Sequence, residues 1–301
     1  MSGVHFKQLT IVGVGLIGGS LALAAKRAGI VDRVVGVGRS PASLARAIEL
    51  GVVDEALPLA EAVAGADVVV VCVPVAQTFA VLHALEPHLG ERTLVTDCGS
   101  TKSDVIVAAK TALGDKVAQF VPAHPIAGRE RSGVDAALAD LYEGKKLVVC
   151  PLQENTPAAL ARIEGLWRAA GADCQRMSAL QHDAVFAAVS HLPHLLSFAL
   201  VAQIANADDA AAKFAFAGAG FRDFTRIAAS SPEMWRDICV ANRSALLSEL
   251  ELYQQMLARL ATLIRDQDGD KLEKVFARAS AARSHWGQQT PPAQHADPAT
   301  E

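Results

Sequence analysis

The sequence predicts an α/β protein in two parts: a doubly wound parallel sheet over residues 1–177, then an all-helical domain over residues 178–286. Three observations carry the prediction. A strand-like run, LTIV at residues 9–12, passes through three closely spaced glycines into a helix. Short apolar runs then alternate with helical segments as far as Met177, the pattern of repeated strand–helix–strand units. Beyond Met177 the strand-like runs stop, and helix formers dominate as far as His285. The 301 residues suffice for such a pair of domains at ~150 residues each.

The opening turn has the spacing G-x-G-x-x-G at Gly13, Gly15 and Gly18, between a strand and a helix reaching Arg27. Gly13 permits the tight turn, Gly15 lets backbone approach a pyrophosphate, and Gly18 lets the helix pack closely on the strand. Free amides at the helix start, around Leu16 and Ile17, favour an anion. The turn is expected to be the dinucleotide site of a Rossmann-type sheet, with a glycine-rich turn that binds nothing as the plain alternative. The second strand is expected at residues 33–38. Ser40 then caps the next helix, with Pro41 at its first position. Residues 66–74 read as a strand buried on both faces, ending in Val73 and Pro74, which should border the cofactor. Residues 93–97, 119–125, 146–150 and 173–177 supply the remaining strands of the same sheet.

The end of the second strand bears on cofactor choice. In sheets that bind NAD an acidic residue commonly holds the ribose hydroxyls there. Here the chain reads Gly38-Arg39-Ser40, with no carboxylate to repel a 2′-phosphate, and Arg39 with Ser40 can bind one. NADP is therefore expected, with NAD as the alternative and a solvated Arg39 as the plain structural reading.

In the second part, residues 178–205 read as one long helix, which Pro193 should bend by removing a backbone donor. A further helix starts at Ser231-Pro232-Glu233 and is expected to run to about residue 266. Along it Leu246, Leu250, Tyr253, Leu257, Leu260 and Ile264 alternate spacings of four and three, a coiled-coil-like seam. That seam predicts a homodimer; an ordinary core stripe is the alternative. Residues 287–301, rich in Gln, Pro and Thr, are expected to form a disordered tail.

Bulk properties exclude several classes. Net charge is −4 with acids and bases interspersed, which points away from nucleic-acid and membrane partners. The longest apolar run, residues 68–76, is far below the ~20 residues of a membrane span. The short polar start fits no signal peptide. Cys72, Cys98, Cys150, Cys174 and Cys239 form no C-x-x-C pair and read as reduced thiols, so a cytoplasmic location is expected.

Three clusters carry chemistry. In HPIAGRERSG, His124 follows a strand and should stand at the carboxyl edge of the sheet, where ligands bind and where imidazole can take a proton near neutral pH. In SHLPH, His191 and His194 share a helix face at a bend. They could be aimed at a substrate, be packing residues, or hold a metal. The metal reading lacks an H-E-x-x-H pattern and a nearby third ligand, so none is expected. In FRDFTRIA, followed by PEMW, Arg222 and Arg226 lie four apart among aromatic residues, suited to a ligand with carboxylates beside a ring. Arg226 takes the ligand role. Arg222 stays open, with pairing to Asp183, Asp223 or Glu233 as its alternative.

The linked set GVGLIGGS, DCGSTK, HPIAGRERSG, SHLPH, FRDFTRIA and PEMW, in this order, resembles the prephenate dehydrogenase family over about residues 8–285. That family includes arogenate and cyclohexadienyl dehydrogenases of tyrosine biosynthesis. The resemblance implies a Rossmann-type domain followed by a helical dimerisation domain. It implies oxidative decarboxylation of prephenate to 4-hydroxyphenylpyruvate, or of arogenate to tyrosine. It makes His124 the catalytic histidine, which accepts a hydrogen bond from the ring hydroxyl, and Ser100 the serine that orients His124 and the nicotinamide. It makes His194 and Arg226 substrate-binding residues and Trp235 an aromatic of the pocket. Two departures stand out: Gly38 replaces the acidic residue of NAD-using members, and Arg129 stands where relatives often carry a small or hydroxylated residue. Arg129 could favour a carboxylate and Glu130 an ammonium, so substrate choice stays open. No segment is long enough for a chorismate mutase or a regulatory ACT domain, so any feedback by tyrosine should act at the active site. The competing readings are a β-hydroxyacid dehydrogenase-like reductase on the same plan and an NADP-sensing regulator that turns nothing over.

Overall fold

The protein is described by a computed structural model covering residues 3–129 and 131–289. It divides into two compact units, residues 1–246 and the chain from Leu247 onward.

In the first unit the strands are β1 (Phe6–Val12), β2 (Val31–Val37), β3 (Glu55–Ala56), β4 (Val68–Val71), β5 (Leu94–Asp97), β6 (Phe120–Val121), β7 (Ala123–Pro125), β8 (Lys146–Val149) and β9 (Asp173–Arg176). The interleaved helices are α1 (Leu16–Arg27), α2 (Pro41–Glu49), α3 (Leu59–Ala64), α4 (Thr78–Leu85), α5 (Ser103–Leu113) and α6 (Pro157–Ala169). Six strands pair in parallel in the order β3-β2-β1-β4-β5-β6, the dinucleotide-binding order, with its reversal point between β1 and β4. Strand periodicity explains why both faces must be covered. Along β4, Val68 and Val70 join one core with Leu21 of α1 and Trp167 of α6, while Val69 and Val71 join another with Leu82, Leu85 and Val105 of α4 and α5. Each fully buried valine contributes on the order of 1.5–3 kcal/mol.

The expected strand 119–125 breaks in two. Pro122 has no N–H to give to the ladder. β6 stays in the main sheet beside β5, while β7 pairs antiparallel with β8, which pairs parallel with β9, in a separate three-stranded sheet. The doubly wound sheet therefore ends at β6. The segments expected at 146–150 and 173–177 build the second sheet instead, and the two-residue β3 extends the first.

The rest of this unit is helical: α7 (Ala179–Phe186), α8 (Leu192–Ala205), α9 (Ala210–Ala215), α10 (Ala219–Thr225), α11 (Pro232–Ala241) and the start of α12 (Arg243–Arg265). α7 and α8 form one run through a π-helical turn at Ala187–His191. The irregularity falls just before Pro193, which sits in the first turn of α8, where its missing N–H disturbs least. By length and composition alone this 27-residue run could cross a membrane. Its buried polar residues His182, Asp183 and His191 are instead bonded to the rest of this unit. The helix expected from Ser231 to residue 266 is interrupted at Asn242, whose φ of −95° and ψ of 29° leave the helical region.

The second unit consists of the remainder of α12, a turn in which Gln267 has a φ of 53°, and α13 (Gly269–Gln289). Asp268 caps α13 by accepting from the Lys271 amide at 3.1 Å. α13 continues past the predicted start of the tail at 287, and residues 290–301 lie outside the described residues. Of the predicted seam, Leu246 is buried, Leu250, Tyr253 and Leu260 are half-buried, and Leu257 and Ile264 are exposed.

Candidate active site

The glycine turn has the conformation its sequence requires. Gly13 has a φ of 100°, in the region that favours glycine. A Cβ on Gly18 would stand 2.5 Å from the Gly13 carbonyl and 2.6 Å from Ile11 Cγ2, so only glycine lets α1 sit this close to β1. Gly15 differs: a Cβ there meets nothing within 4 Å. Packing does not demand glycine at 15, and the space over it is open. The start of α1 carries no side-chain cap and no acidic residue in its first turn. Free amides over an open cradle fit a pyrophosphate. Val73 and Pro74 follow β4 on the neighbouring side of Gly13, and Val73 Cγ1 lies 3.4 Å from the position of a Gly13 Cβ. Leu16 and Ile17 are half-buried in the first helical turn, where the Ile17 carbonyl accepts from Tyr142 Oη at 2.6 Å. Past β2, Gly38 and Arg39 are exposed, and Arg39 makes no ion pair among the described residues. Ser40 caps α2, as its sequence predicts, by accepting from the Ser43 amide at 3.2 Å.

His124 lies in β7, immediately past the sheet break. Asp97, at the end of β5, holds that point. Its Oδ1 accepts from the Ala123 amide at 3.0 Å, and its Oδ2 accepts from the Gly99 amide at 2.8 Å and from Lys102 Nζ. Lys102 is fully buried, so this ion pair fastens the DCGSTK loop to the strand bearing His124. His124 Nδ1 is 2.8 Å from His182 Nε2, and His182 Nδ1 is 2.8 Å from Asp183 Oδ1. Asp183 also accepts from the amides of Lys102 and Ser103, each at 2.9 Å. Phe186 packs on both imidazoles, with ring centroids 5.0 Å from His124 and 4.5 Å from His182. Burial, then the neighbouring His182, Lys102 and His191, hold the His124 pKa well below the usual histidine value.

The helical residues form the adjoining wall. His194 stacks on Trp235 with centroids 3.6 Å apart and planes 19° from parallel. Its Nδ1 donates to the Ser190 carbonyl at 2.8 Å, leaving Nε2 for a ligand. The Trp235 indole N–H is buried with no hydrogen-bond partner among the described residues. The positive charge of Arg226, on the turn after α10, bears on His194 and, after burial, helps lower its pKa. Arg222 is exposed and pairs with none of its expected partners. Asp183 is bound to the DCGSTK loop, and Glu233 lies near Arg236. Arg129 is exposed on the loop after β7, and Glu130 lies outside the described residues.

Two residues play parts other than those expected. His191 is buried, accepts from Asn242 Nδ2 at 3.0 Å and bonds the Ser100 backbone. These contacts tie the DCGSTK loop to the helices through His191. Ser100 meets the helices through its backbone, and its hydroxyl makes no hydrogen bond to His124 among the described residues. The contact that orients His124 comes from His182. His182, Lys102, Asp97 and Asn242 received no role from the sequence, and Asp183 only that of a possible partner for Arg222. The available signal was polar residues placed inside apolar elements, which burial obliges to find partners.

A glycine cradle on a 3-2-1-4-5-6 sheet, with a neutral histidine and an aromatic–histidine wall, defines an NAD(P)-linked dehydrogenase. Two family models divide the chain between them: "Prephenate dehydrogenase, nucleotide-binding domain" over residues 21–176 and "Prephenate dehydrogenase, dimerization domain" over residues 178–278. The chain belongs to the prephenate dehydrogenase family. It is 37% identical over 286 residues to a cyclohexadienyl dehydrogenase of Zymomonas mobilis, covering 92% of this chain and 95% of that protein. It is 35% identical over 279 residues to a prephenate dehydrogenase of Bacillus subtilis, covering 91% of this chain and 75% of that one. Among solved structures, the prephenate dehydrogenase of Aquifex aeolicus in complex with hydroxyphenyl propionate and NAD+ superposes with a TM-score of 0.87 at 35% identity, covering 93% of this chain and 98% of that one. The arogenate dehydrogenase of Synechocystis gives 0.78 at 30% identity, covering 93% and 99%.

Proposed function

We propose that this chain oxidatively decarboxylates prephenate or arogenate, with NADP preferred over NAD. The observation that carries the reading is His124, kept neutral in a buried network beside the wall of His194 and Trp235. A nicotinamide cofactor would be held by Gly13, Gly15, Leu16, Ile17, Gly18, Val73 and Pro74, with Ser100 helping to orient it, and would supply the hydride acceptor. His124 takes the hydroxyl proton as the ring carbon becomes a carbonyl. The ring carboxylate then leaves as carbon dioxide, the ring becomes aromatic, and His124 returns the proton to the phenol oxygen. Arg226 holds a carboxylate by a forked contact, and Trp235 with His194 encloses the ring. The match to named dehydrogenases favours this reading over a β-hydroxyacid reductase or a silent sensor.

The preference for NADP rests on Gly38-Arg39-Ser40: that stretch carries no carboxylate, and Arg39 makes no ion pair among the described residues. A homodimer is supported by the description of the second family model and by the apolar groove on α13 lined by Leu272, Phe276 and Ala277. Five free thiols suit the cytoplasm. The test follows cofactor reduction with each substrate and each cofactor. Turnover of at least one ring substrate is expected, with Arg39→Ala raising KM for NADP roughly tenfold or more, since a charged contact is worth about 1.5–3 kcal/mol. No turnover of either substrate overturns the activity, and an unmoved KM for NADP overturns the role of Arg39.

A further inference from the structure

Relatives and family models name an activity but give no task to the pair before the π-turn, His182 and Asp183. Hydrogen-bond bookkeeping supplies one. Asp183 accepts from two backbone amides and from His182, and these bonds, with burial opposing them, hold its pKa down to about 2. An ionised carboxylate only accepts, so His182 Nδ1 must carry a proton. Burial keeps His182 neutral, which leaves its Nε2 a bare acceptor. His124 Nδ1 stands 2.8 Å from that acceptor and must donate. The proton of neutral His124 is therefore on Nδ1, and its lone pair is on Nε2.

We propose that Asp183 and His182 are positioning residues that fix the tautomer of His124, so that Nε2 is the nitrogen that takes the hydroxyl proton. The proposal rests on the reading of His124 as the base. It balances. The C–H electron pair goes to the nicotinamide and the O–H proton to His124 Nε2. The C–C bond to the departing carboxylate then supplies the electrons that make the ring aromatic, and the proton returns from Nε2 to the phenolate oxygen. No proton is lost to solvent. While the proton is parked, the imidazolium faces the positive charge of Lys102 and the rings of His182 and His191. Its partner at Nδ1 remains His182, itself bonded to the Asp183 anion, which stabilises the charge as a triad carboxylate does.

The test is made on the full chain labelled with ¹⁵N-histidine, without substrate, and repeated by kinetics. In the wild type, the nitrogen spectrum should show His124 protonated at Nδ1 and bare at Nε2. His182→Phe removes the acceptor and should shift His124 toward the other tautomer, lowering kcat roughly 10²- to 10⁴-fold with cofactor Kd unchanged. His182→Gln restores an acceptor and should recover a tenfold or greater part of that loss, which mere packing by His182 would not produce. Asp183→Asn should lower kcat in the same range. A wild-type His124 protonated at Nε2, or equal kcat for the Phe and Gln variants, overturns the proposal. Absence of turnover with the expected wild-type tautomer overturns the proposed function instead, so the two failures are distinguishable.

Discussion

His124 works because its surroundings oppose a positive charge without forbidding a brief one. Burial and the neighbouring His182, Lys102 and His191 depress its pKa, so the neutral base persists well into acid. kcat should stay flat as pH falls through 6.5 and decline only well below it. A decline centred at 6.5 would mean that Phe186 and His182 do not shield His124 from water. His124→Asn keeps a polar group toward His182 but has no basic nitrogen, so kcat should fall roughly 10²- to 10⁴-fold while cofactor Kd holds. Retention of most activity would assign the proton to another group. Arg226→Ala should mainly raise KM, because holding a carboxylate serves ground and transition states alike. An unchanged KM would place that carboxylate elsewhere.

At the scale of elements, one glycine couples sheet to cofactor. Gly18→Ala puts a methyl 2.5 Å from the Gly13 carbonyl, and backbone cannot yield as a flexible side chain can. Overpacking of this kind costs about 1–3 kcal/mol. It should also tilt α1 off β1, raising the cofactor Kd roughly tenfold or more in a titration, with the shift in urea midpoint measured alongside. The same turn explains what was legible beforehand. The glycine spacing, the Ser40 cap and the valine run of β4 are local signals, and each has the conformation its residues dictate. The two sheets were not legible as two, because β7 and β8 are apolar runs like any other and their pairing is settled by Pro122 and by Asp97, distant in sequence from β8. The interruption at Asn242 escaped for the same reason. Its amide bonds the Asp183 carbonyl and His191, partners 59 and 51 residues away, and no periodicity records them.

At the scale of the molecule, the site is also a store of acid sensitivity. His124, His182, His191 and His194 all have depressed pKa values, with burial the first cause in each. The unfolded chain binds protons at these positions from about pH 6.5 downward, while the native state does not, so stability is full above 6.5 and falls as pH drops toward each native value. For His191, displaced to about 4, the loss is on the order of 3 kcal/mol. Asp183, held at about 2, adds a loss between its ordinary 3.8 and that value. Against a typical total of about 5–15 kcal/mol, these terms should weaken the α/β unit markedly in mild acid. Urea midpoints should therefore fall steadily from pH 6.5 to pH 4 at constant slope. In His191→Gln, which cannot take up a proton, the midpoint should start lower at pH 7.5 through lost bonds to Ser100 and Asn242, yet decline less with acid. A wild-type midpoint that is level between pH 6.5 and 4 would show that these imidazoles are not held away from water in the folded chain.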